Sequence, residues 1–285
     1  MNSKLICNLL VSFLLASVVF FVESGCTSEE QVVGPKLRIA TTTSLCDSGL
    51  WDRLEPLFEA RYMVDLDVLY AGTGIAVCYG ERGDVDAIVT HDPYMEERFV
   101  SQGYGVERIP FAYNYFLIVG PEDDPVGIKD LAPEEAFTKL AVSGAALFIS
   151  RADGSGTHAK EQAIWSRAGF DYEVVRRGRW YVESGRGMGP TLLMASEKRG
   201  YTLTDRATFL VYKDRLDLVS IVDKGESLLN VYTIIVVNPA KFPAVNYRAA
   251  EHLVEFLVSE EVQAFLRVYG VEDYGEPLFY PYYGQ

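Results

Sequence analysis

Apolar runs typical of strands alternate with segments of helical periodicity along most of the chain. Residues 66–70 and 232–237 are short, mostly apolar runs, which is the pattern of buried strands. Elsewhere apolar residues recur every three or four positions, as in residues 50–58, and this spacing predicts a helix that packs on a core. The alternation of the two patterns predicts an α/β fold.

Three local signals give more detailed expectations. Residues 146–149 predict a strand, and Asp47 with Ser48 offers an N-cap for the helix that follows. Residues 247–269 have apolar positions at helical spacing throughout. They predict one long amphipathic helix, which Gly270 would end.

The placement of the strongest strands predicts two lobes joined by two crossover strands. After the first part of the chain, the strongest β runs are residues 115–119 and 232–237. If both cross between lobes, the first lobe contains residues 36–114 and 238–285, and the second lobe contains residues 115–237. Two crossings would give a hinge, with a cleft between the lobes.

The N-terminus has the features of an export signal. Lys4 is the only charged side chain before residues 9–22, which are apolar apart from two serines. Small residues precede Cys26, which resembles a lipobox, so residues 1–26 predict a signal peptide with Cys26 as the lipidation site. An uncleaved anchor helix is the alternative. Residues 27–35 predict a tether, and either route places the protein outside the cell membrane, anchored to its outer face or in the periplasm.

The chain is acidic, and this limits the ligands that it can take. Its 285 residues carry a formal net charge of −14, whereas a nucleic-acid-binding protein usually has a basic stripe. We therefore expect no nucleic-acid partner. An anionic ligand would have to be held by a local set of hydrogen-bond donors, because the long-range field of the protein repels it.

Three predicted strand-to-helix junctions are rich in small hydrogen-bond donors, namely residues 40–44, 71–74 and 150–157. The N-terminus of a helix presents unpaired backbone N–H groups and the positive end of the helix dipole. Arg151 adds a planar cation with several donors. Because strand ends converge on one cleft in α/β folds, these loops predict a socket for a small dianion.

Two aspartates in or beside these loops admit two interpretations. Phosphate keeps a proton near neutral pH, so a phosphate site benefits from a carboxylate acceptor, whereas sulfate, molybdate and tungstate need only donors. Asp47 and Asp153 could each accept that proton. We favour the structural alternative, in which Asp47 caps its helix and Asp153 orients Arg151 or caps the turn.

An enzyme is the main alternative class of protein. Ser155 and His158 are close in sequence, and a serine hydrolase using Ser155 would need such a pair. Residues 154–156 nevertheless lack the Gly-x-Ser-x-Gly spacing of a nucleophile elbow. The sequence also has no P-loop and no Cys/His cluster with the spacing of a metal site. It predicts binding without catalysis, with no cofactor and no bound metal cation.

The three donor loops resemble, in order, motifs of the tungstate-binding components of ABC transporters. Residues 41–50 resemble the opening motif of that family, residues 71–74 its glycine loop, and residues 150–161 its central signature. The resemblance covers residues 37–280. It implies a type II periplasmic-binding-protein fold that captures an oxyanion with these loops. The implied ligand donors are Thr42, Thr43, Ser44, Thr73, Arg151, Ser155 and Thr157.

The same resemblance implies the ligand and the partners. The ligand would be tungstate, with molybdate possible, and sulfate and phosphate are alternatives that the sequence does not separate. The partner would be the membrane permease of an ABC transporter, and the chain itself is expected to be a monomer. A sensor that passes the bound state to another membrane protein is a further alternative.

Cys46 and Cys78 are the two cysteines outside the signal and the lipidation site. Each follows a loop that is predicted to contact the same anion, and an oxidising compartment permits a disulfide. Such a bond would brace the first-lobe half of the site, and it requires Cα atoms about 4.4–6.8 Å apart. The alternative is a pair of buried free thiols.

Overall fold

The computed structural model describes residues 34–284, which alternate between strands and helices. The strands are β1 (Lys36–Thr42), β2 (Asp65–Ala71), β3 (Ala87–Thr90), β4 (Gly105–Gly120), β5 (Phe148–Ser150), β6 (Tyr181–Glu183), β7 (Thr202–Asp205), β8 (Val219–Val222), β9 (Leu229–Val237) and β10 (Tyr280–Pro281). The α-helices are α1 (Thr43–Asp47), α2 (Leu50–Tyr62), α3 (Thr73–Arg82), α4 (Pro93–Ser101), α5 (Pro133–Ser143), α6 (Gly156–Arg167), α7 (Tyr172–Val175), α8 (Met188–Glu197), α9 (Arg206–Tyr212), α10 (Tyr247–Val258), α11 (Glu260–Val268) and α12 (Val271–Tyr274). The predicted α/β class is confirmed.

The main sheet has the strand order β10-β4-β9-β3-β1-β2. β1 pairs in parallel with β2 and with β3, whereas β9 pairs antiparallel with both β3 and β4. The last residues of the long strand β4 pair instead with β7 and β8, and β5 and β6 form a separate parallel pair. The carboxyl ends of β1 and β2 therefore lie at the same edge of the sheet, where α1 and α3 begin.

The long strand β4 contributes to separate hydrophobic cores along its length. Phe111 and Ala112 pack with residues of β1, β3, β9 and α10, while Phe116 and Ile118 pack with residues of α5, α6 and β7. All four side chains are fully buried. The chain thus passes from one core to another within a single strand, and the lobe boundaries given above stay a prediction.

The predicted long helix over residues 247–269 is wrong in one respect, because two helices occupy this segment. Ser259 separates α10 from α11 with an extended backbone, at φ −64° and ψ 151°. Its hydroxyl accepts a hydrogen bond from the N–H of Val262 at 3.4 Å, so it caps α11. A serine followed by Glu260 and Glu261 is a helix-start signal, and here this signal outweighs the continuous apolar pattern.

The predicted N-cap at Asp47 is also wrong. Asp47 is the last residue of α1, and the residue that precedes α2 is Gly49. Gly49 has φ 67°, a left-handed conformation that glycine adopts without steric cost. The chain therefore turns from one helix directly into the next through this glycine. The strand predicted over residues 146–149 is present but lies at Phe148–Ser150.

The predicted signal peptide, the lipidation site Cys26 and most of the predicted tether lie outside the described residues. Within residues 34–284, none of the helices is both long enough and apolar enough to cross a membrane.

Candidate functional site

The first donor loop is the short turn from β1 into α1. Thr42 is the last residue of β1, and its extended backbone leads into Thr43, where α1 begins. The hydroxyls of Thr42 and Ser44 are 3.1 Å apart, and both side chains are buried. Thr43 is partly buried. Three hydroxyls therefore lie at the carboxyl end of β1, beside the unpaired N–H groups of the first turn of α1.

The second donor loop is the turn from β2 into α3. Gly72 precedes the helix with an extended backbone, and Thr73 is its first residue. The Thr73 side chain is only 1% exposed, and its hydroxyl has no hydrogen-bond partner. A buried hydroxyl without a partner costs free energy, and native proteins rarely tolerate one without a reason. Thr73 is therefore a donor that a bound ligand could satisfy.

The third donor loop runs from β5 into α6. Ala152 and Gly154 both have positive φ, at 46° and 70°, which folds the loop sharply back toward the helix. Ser155 then caps α6 by accepting a hydrogen bond from the N–H of His158 at 3.3 Å. Ser155 and Thr157 are both buried at the start of this helix. The loop places the N-terminus of a long helix beside Arg151.

Arg151 is a buried cation that an adjacent carboxylate holds in place. Its side chain is 4% exposed, and Nη2 donates to Asp153 Oδ2 at 2.6 Å while Nε donates to the same oxygen at 3.1 Å. The other Asp153 oxygen accepts from the N–H of Ser155 at 3.1 Å. Asp153 therefore both orients Arg151 and supports the turn, as expected.

The second and third loops meet directly. A methyl group on Gly156 would lie 3.0 Å from the Thr73 hydroxyl oxygen, and one on Gly74 would lie 3.6 Å from the carbonyl oxygen of Gly154. The N-termini of α3 and α6 therefore face each other across a narrow gap. Two helix N-termini directed at one space concentrate N–H donors and positive dipole ends there.

The first loop joins them through α1. This helix packs against α8 and α9, and the charge of Arg151 acts on Asp47 at its end. Burial, and then the carboxylate of Asp205, raise the pKa of Asp47 to about 6, while Arg151 opposes the rise. The second loop thus approaches the third directly, and the end of α1, which follows the first loop, lies within the electrostatic influence of Arg151. Which of their side chains contact a ligand stays a prediction.

Comparisons with known proteins identify the family of this chain. A family model described as a PBP superfamily domain matches residues 27–261. The tungstate-binding protein TupA of Peptoclostridium acidaminophilum is 40% identical over 269 residues, which cover 90% of this chain and 92% of that relative. This chain belongs to the PBP superfamily and, within it, to the tungstate-binding protein family.

Solved structures of similar proteins have the same fold. The structure described as the tungstate ABC transporter from Geobacter sulfurreducens is 46% identical, covers 82% of this chain and 98% of its own, and has a TM-score of 0.73. The tungstate-binding protein TupA from Desulfovibrio alaskensis G20 is 37% identical, covers 87% of this chain and 99% of its own, and has a TM-score of 0.76. The predicted type II periplasmic-binding-protein fold is confirmed for this member of the tungstate-binding protein family.

The pair of residues that a serine hydrolase would need is engaged otherwise in this family member. The His158 ring accepts from the N–H of Gly154 at Nδ1, and its Nε2 lies 2.7 Å from the Tyr172 hydroxyl. Among the hydrogen bonds of the described residues, the only one between His158 and Ser155 is donated by the backbone N–H of His158 to the Ser155 hydroxyl. The ring therefore does not activate the Ser155 hydroxyl. Within residues 34–284, no group of His, Cys, Asp and Glu could hold a metal ion.

Cys46 and Cys78 are free in the structure, and both are exposed. Cys46 lies on α1, whose Leu45 packs into the core on one face of the sheet, and Cys78 lies on α3, whose Val77 packs into the core on the other face. The alternative of two buried free thiols is therefore wrong about their burial, because both free thiols are exposed. The structure has no disulfide between these two cysteines, and chemical titration distinguishes free thiols from the bond that the sequence suggested.

Asp205 and His91 lie near the site, although the donor-loop pattern did not single them out. Asp205 is fully buried, caps α9 through the N–H of Thr208 at 2.9 Å, and has its pKa raised by burial. His91 is 5% exposed, and burial lowers its pKa to about 4. A methyl group on Gly156 would lie 2.7 Å from the His91 ring. In the sequence, Asp205 has only the pattern of a helix cap, and His91 has only that of a residue at a strand end.

Proposed function

We propose that this protein captures a tetrahedral oxyanion, tungstate above all, where the three donor loops meet, and delivers it to an ABC importer without changing it chemically. The observation that carries the proposal is the buried, unpartnered hydroxyl of Thr73 between two facing helix N-termini. A small anion would satisfy it. The family membership supports tungstate as the anion.

Six of the proposed donors are short hydroxyl side chains near the start of a helix, and the seventh is the planar, charged group of an arginine. Uncharged hydroxyls and N–H groups suit a fully ionised anion, because every oxygen of such an anion accepts hydrogen bonds. A single buried arginine then balances part of the charge. The set comprises Thr42, Thr43, Ser44, Thr73, Arg151, Ser155 and Thr157. Molybdate has the same charge and shape, so it falls within the proposal as a second ligand.

We further propose how the chain is organised and where it acts. Residues 36–114 with 238–285 form one lobe, residues 115–237 form the other, and a hinge at β4 and β9 lets them close on the anion. The separate cores along β4 support this division. A signal peptide ending at Cys26 exports the protein as a monomer to the outer face of the cytoplasmic membrane, where it meets its permease.

Isothermal titration with tungstate, molybdate, sulfate and phosphate tests the proposed ligand. Arg151→Ala is expected to weaken tungstate binding at least about thirtyfold, because removing one partner of a buried charged pair costs about 2–5 kcal/mol. Arg199→Ala is the matched control, since this exposed arginine pairs with Asp123 and contacts none of the proposed donors. Normal tungstate binding by Arg151→Ala, or tighter binding of phosphate than of tungstate by the wild type, would refute the proposal.

A further inference from the structure

A buried carboxylate contacts the start of the third donor loop. Glu161 belongs to α6 and is 2% exposed. Its Oε2 accepts a hydrogen bond from the Ser150 hydroxyl at 2.6 Å. Its Oε1 accepts from the Tyr181 hydroxyl at 2.6 Å and from the ring N–H of Trp165 at 3.2 Å. A buried charge is costly unless donors of this kind surround it, so the carboxylate and its three donors hold one another in place.

The first connection runs from this carboxylate to the backbone on either side of Arg151. Ser150 precedes Arg151, and its hydroxyl oxygen accepts from the N–H of Ala152, the residue that follows, at 3.1 Å. An N–H group can only donate, so the Ser150 oxygen is the acceptor and its single proton is available for Glu161. The turn that contains Arg151 is therefore closed by a hydroxyl that the carboxylate holds.

The second connection reaches the same loop through side chains of β6, α7 and α6. The Tyr181 hydroxyl, which donates to Glu161, lies 3.0 Å from the Tyr172 hydroxyl. The Tyr172 hydroxyl lies 2.7 Å from His158 Nε2, and His158 Nδ1 accepts from the N–H of Gly154 at 3.1 Å. Because that N–H can only donate, Nδ1 carries no proton and the ring is neutral. Burial lowers the pKa of His158, which agrees with a neutral ring.

Both connections end where the backbone of the loop is left-handed. Ala152 and Gly154 are the residues of the loop with positive φ, at 46° and 70°. A left-handed backbone is unfavourable for alanine and persists only where the surrounding contacts hold it. Asp153 lies between these two residues, and its carboxylate holds the Arg151 guanidinium at 2.6 Å. The position of Arg151 thus depends on two N–H groups that are connected to Glu161.

We propose that Glu161 is a positioning residue whose negative charge holds the third donor loop, and Arg151 with it, in the conformation that binds the anion. This inference rests on the proposed function, since the loop affects affinity only if the anion binds there. A loop that is ordered in advance binds more tightly, because the ligand does not have to order it. A buried negative charge also repels an anion. The two effects have opposite signs, so a measurement separates them.

Glu161→Gln is the main test, because it removes the charge and keeps the shape. An amide has one oxygen and one NH₂ group, so it cannot accept from both Ser150 and Tyr181. We expect tungstate affinity to fall at least about fivefold, because the hydrogen bonds that hold the loop lose the strength that a charged partner gives them. If repulsion by the charge dominated, affinity would rise instead. Isothermal titration of the mature protein measures the affinity, and circular dichroism checks the fold.

The pH dependence of affinity is a readout that a purely structural role would not change. Burial raises the pKa of Glu161 to about 7, the hydrogen bonds from its three donors oppose the rise, and the Glu183 carboxylate of β6 adds to it. The titratable groups that face it from β6 and α7 are the phenols of Tyr181 and Tyr172, and burial raises the pKa of both. His158, which lies one turn earlier on α6, has a lowered pKa.

The wild-type affinity for tungstate should rise at least about twofold from about pH 6.5 to about pH 8.5, as Glu161 loses its proton and holds the loop. Repulsion by the charge would give a fall over the same range. Asp47, whose pKa is raised to about 6, is present in both proteins, so the comparison with Glu161→Gln isolates the contribution of Glu161. The profile of Glu161→Gln should lack the rise.

Tyr181→Phe and Tyr201→Phe form a matched pair in one hydrophobic core. Each removes a hydroxyl that donates to a carboxylate at 2.6 Å, that of Glu161 in the first case and that of Asp124 in the second. The Tyr201 hydroxyl otherwise accepts from the N–H of Val126, which lies outside the loop. Tyr181→Phe is expected to weaken tungstate binding at least about threefold, because one connection to the loop is lost. Tyr201→Phe should leave it unchanged. This pair decides the question if Glu161→Gln does not fold.

Unchanged or increased tungstate affinity in folded Glu161→Gln would overturn the assignment. Equal affinities of Tyr181→Phe and Tyr201→Phe would do the same, as would identical pH profiles of the wild type and Glu161→Gln. Failure of the proposed function looks different, because the wild-type protein would then bind none of the oxyanions. A wild type that binds tungstate, with variants that bind it equally well, would refute the role of Glu161 alone.

Discussion

The hydroxyl oxygen of Thr73 lies 3.0 Å from the point that a methyl group on Gly156 would occupy. The two residues are 83 positions apart in the sequence, and each stands at the first turn of its own helix. Only a residue without a side chain lets these two helix N-termini come so close. The space between them is therefore the part of the molecule where small changes should affect ligand binding most.

Gly156→Ala is expected to weaken tungstate binding by about tenfold or more, because misplacing groups that position a ligand is costly. The added methyl would lie 2.7 Å from the His91 ring, so α6 and its donors must move. Gly187→Ala is the control, because its methyl would meet open space at the start of α8. Titration of both variants with tungstate measures the effect. Equal affinities would mean that the close approach is irrelevant to binding.

Thr73→Val is expected to separate stability from binding. The free protein should gain about 1 kcal/mol in free energy of unfolding, because a buried hydroxyl without a partner is removed. Tungstate affinity should nevertheless fall at least about tenfold, since a hydrogen bond to a charged ligand is lost. Denaturant unfolding and isothermal titration measure the two quantities.

Thr90→Val provides the opposite case. Its hydroxyl is also buried but donates to Glu96 at 2.9 Å, so its removal should lower the free energy of unfolding and leave tungstate affinity unchanged. If Thr73→Val also lowers the stability of the free protein, then its hydroxyl is already satisfied without ligand.

Asp47→Asn is expected to stabilise the free protein at neutral pH. Burial and the Asp205 carboxylate raise the pKa of Asp47 from 3.8 to about 6, so the folded state binds protons more tightly than the unfolded state does. Stability should therefore fall as pH rises from about 4 to about 6, the window between the two pKa values. After allowance for solvent screening, the gain from Asp47→Asn is about 1 kcal/mol at pH 7.5.

Urea unfolding of Asp47→Asn and wild type across pH 4 to 8 checks this sign, and their difference should disappear near pH 4. Asp52→Asn is the control, since this carboxylate lies in the first turn of α2, where a negative charge is favourable. A constant difference across the pH range would mean that Asp47 does not titrate as described.

The sequence was sufficient to locate the donor loops, because their signals are local. Glycine, serine and threonine at a strand end mark a helix start, and the structure has α1, α3 and α6 begin at these three places. Arg151 and Asp153 are two residues apart, so their pairing could also be anticipated. The type II fold followed from the resemblance of these same loops to one family.

Other features could not be read from the sequence because they depend on distant contacts. The pairing of Asn230 with His91 and Asn114 joins residues more than 100 positions apart, and nothing local marks it. The raised pKa of Asp47 arises from burial and, after it, from the carboxylate of Asp205, which is 158 positions away in the sequence. The break at Ser259 was missed because apolar periodicity continues across it, even though the local cap signal was present.

The folded mature protein is expected to react with two equivalents of a thiol reagent, at Cys46 and Cys78, because both are free and exposed. Burial raises the pKa of the Cys46 thiol, with Asp47 and Asp52 adding to the rise, so Cys46 should react only slowly at pH 7. Bound tungstate should slow Cys46 further, since α1 carries part of the proposed site. Serine substitution of each cysteine assigns the two rates, and two unreactive thiols that appear only after reduction would instead establish the disulfide.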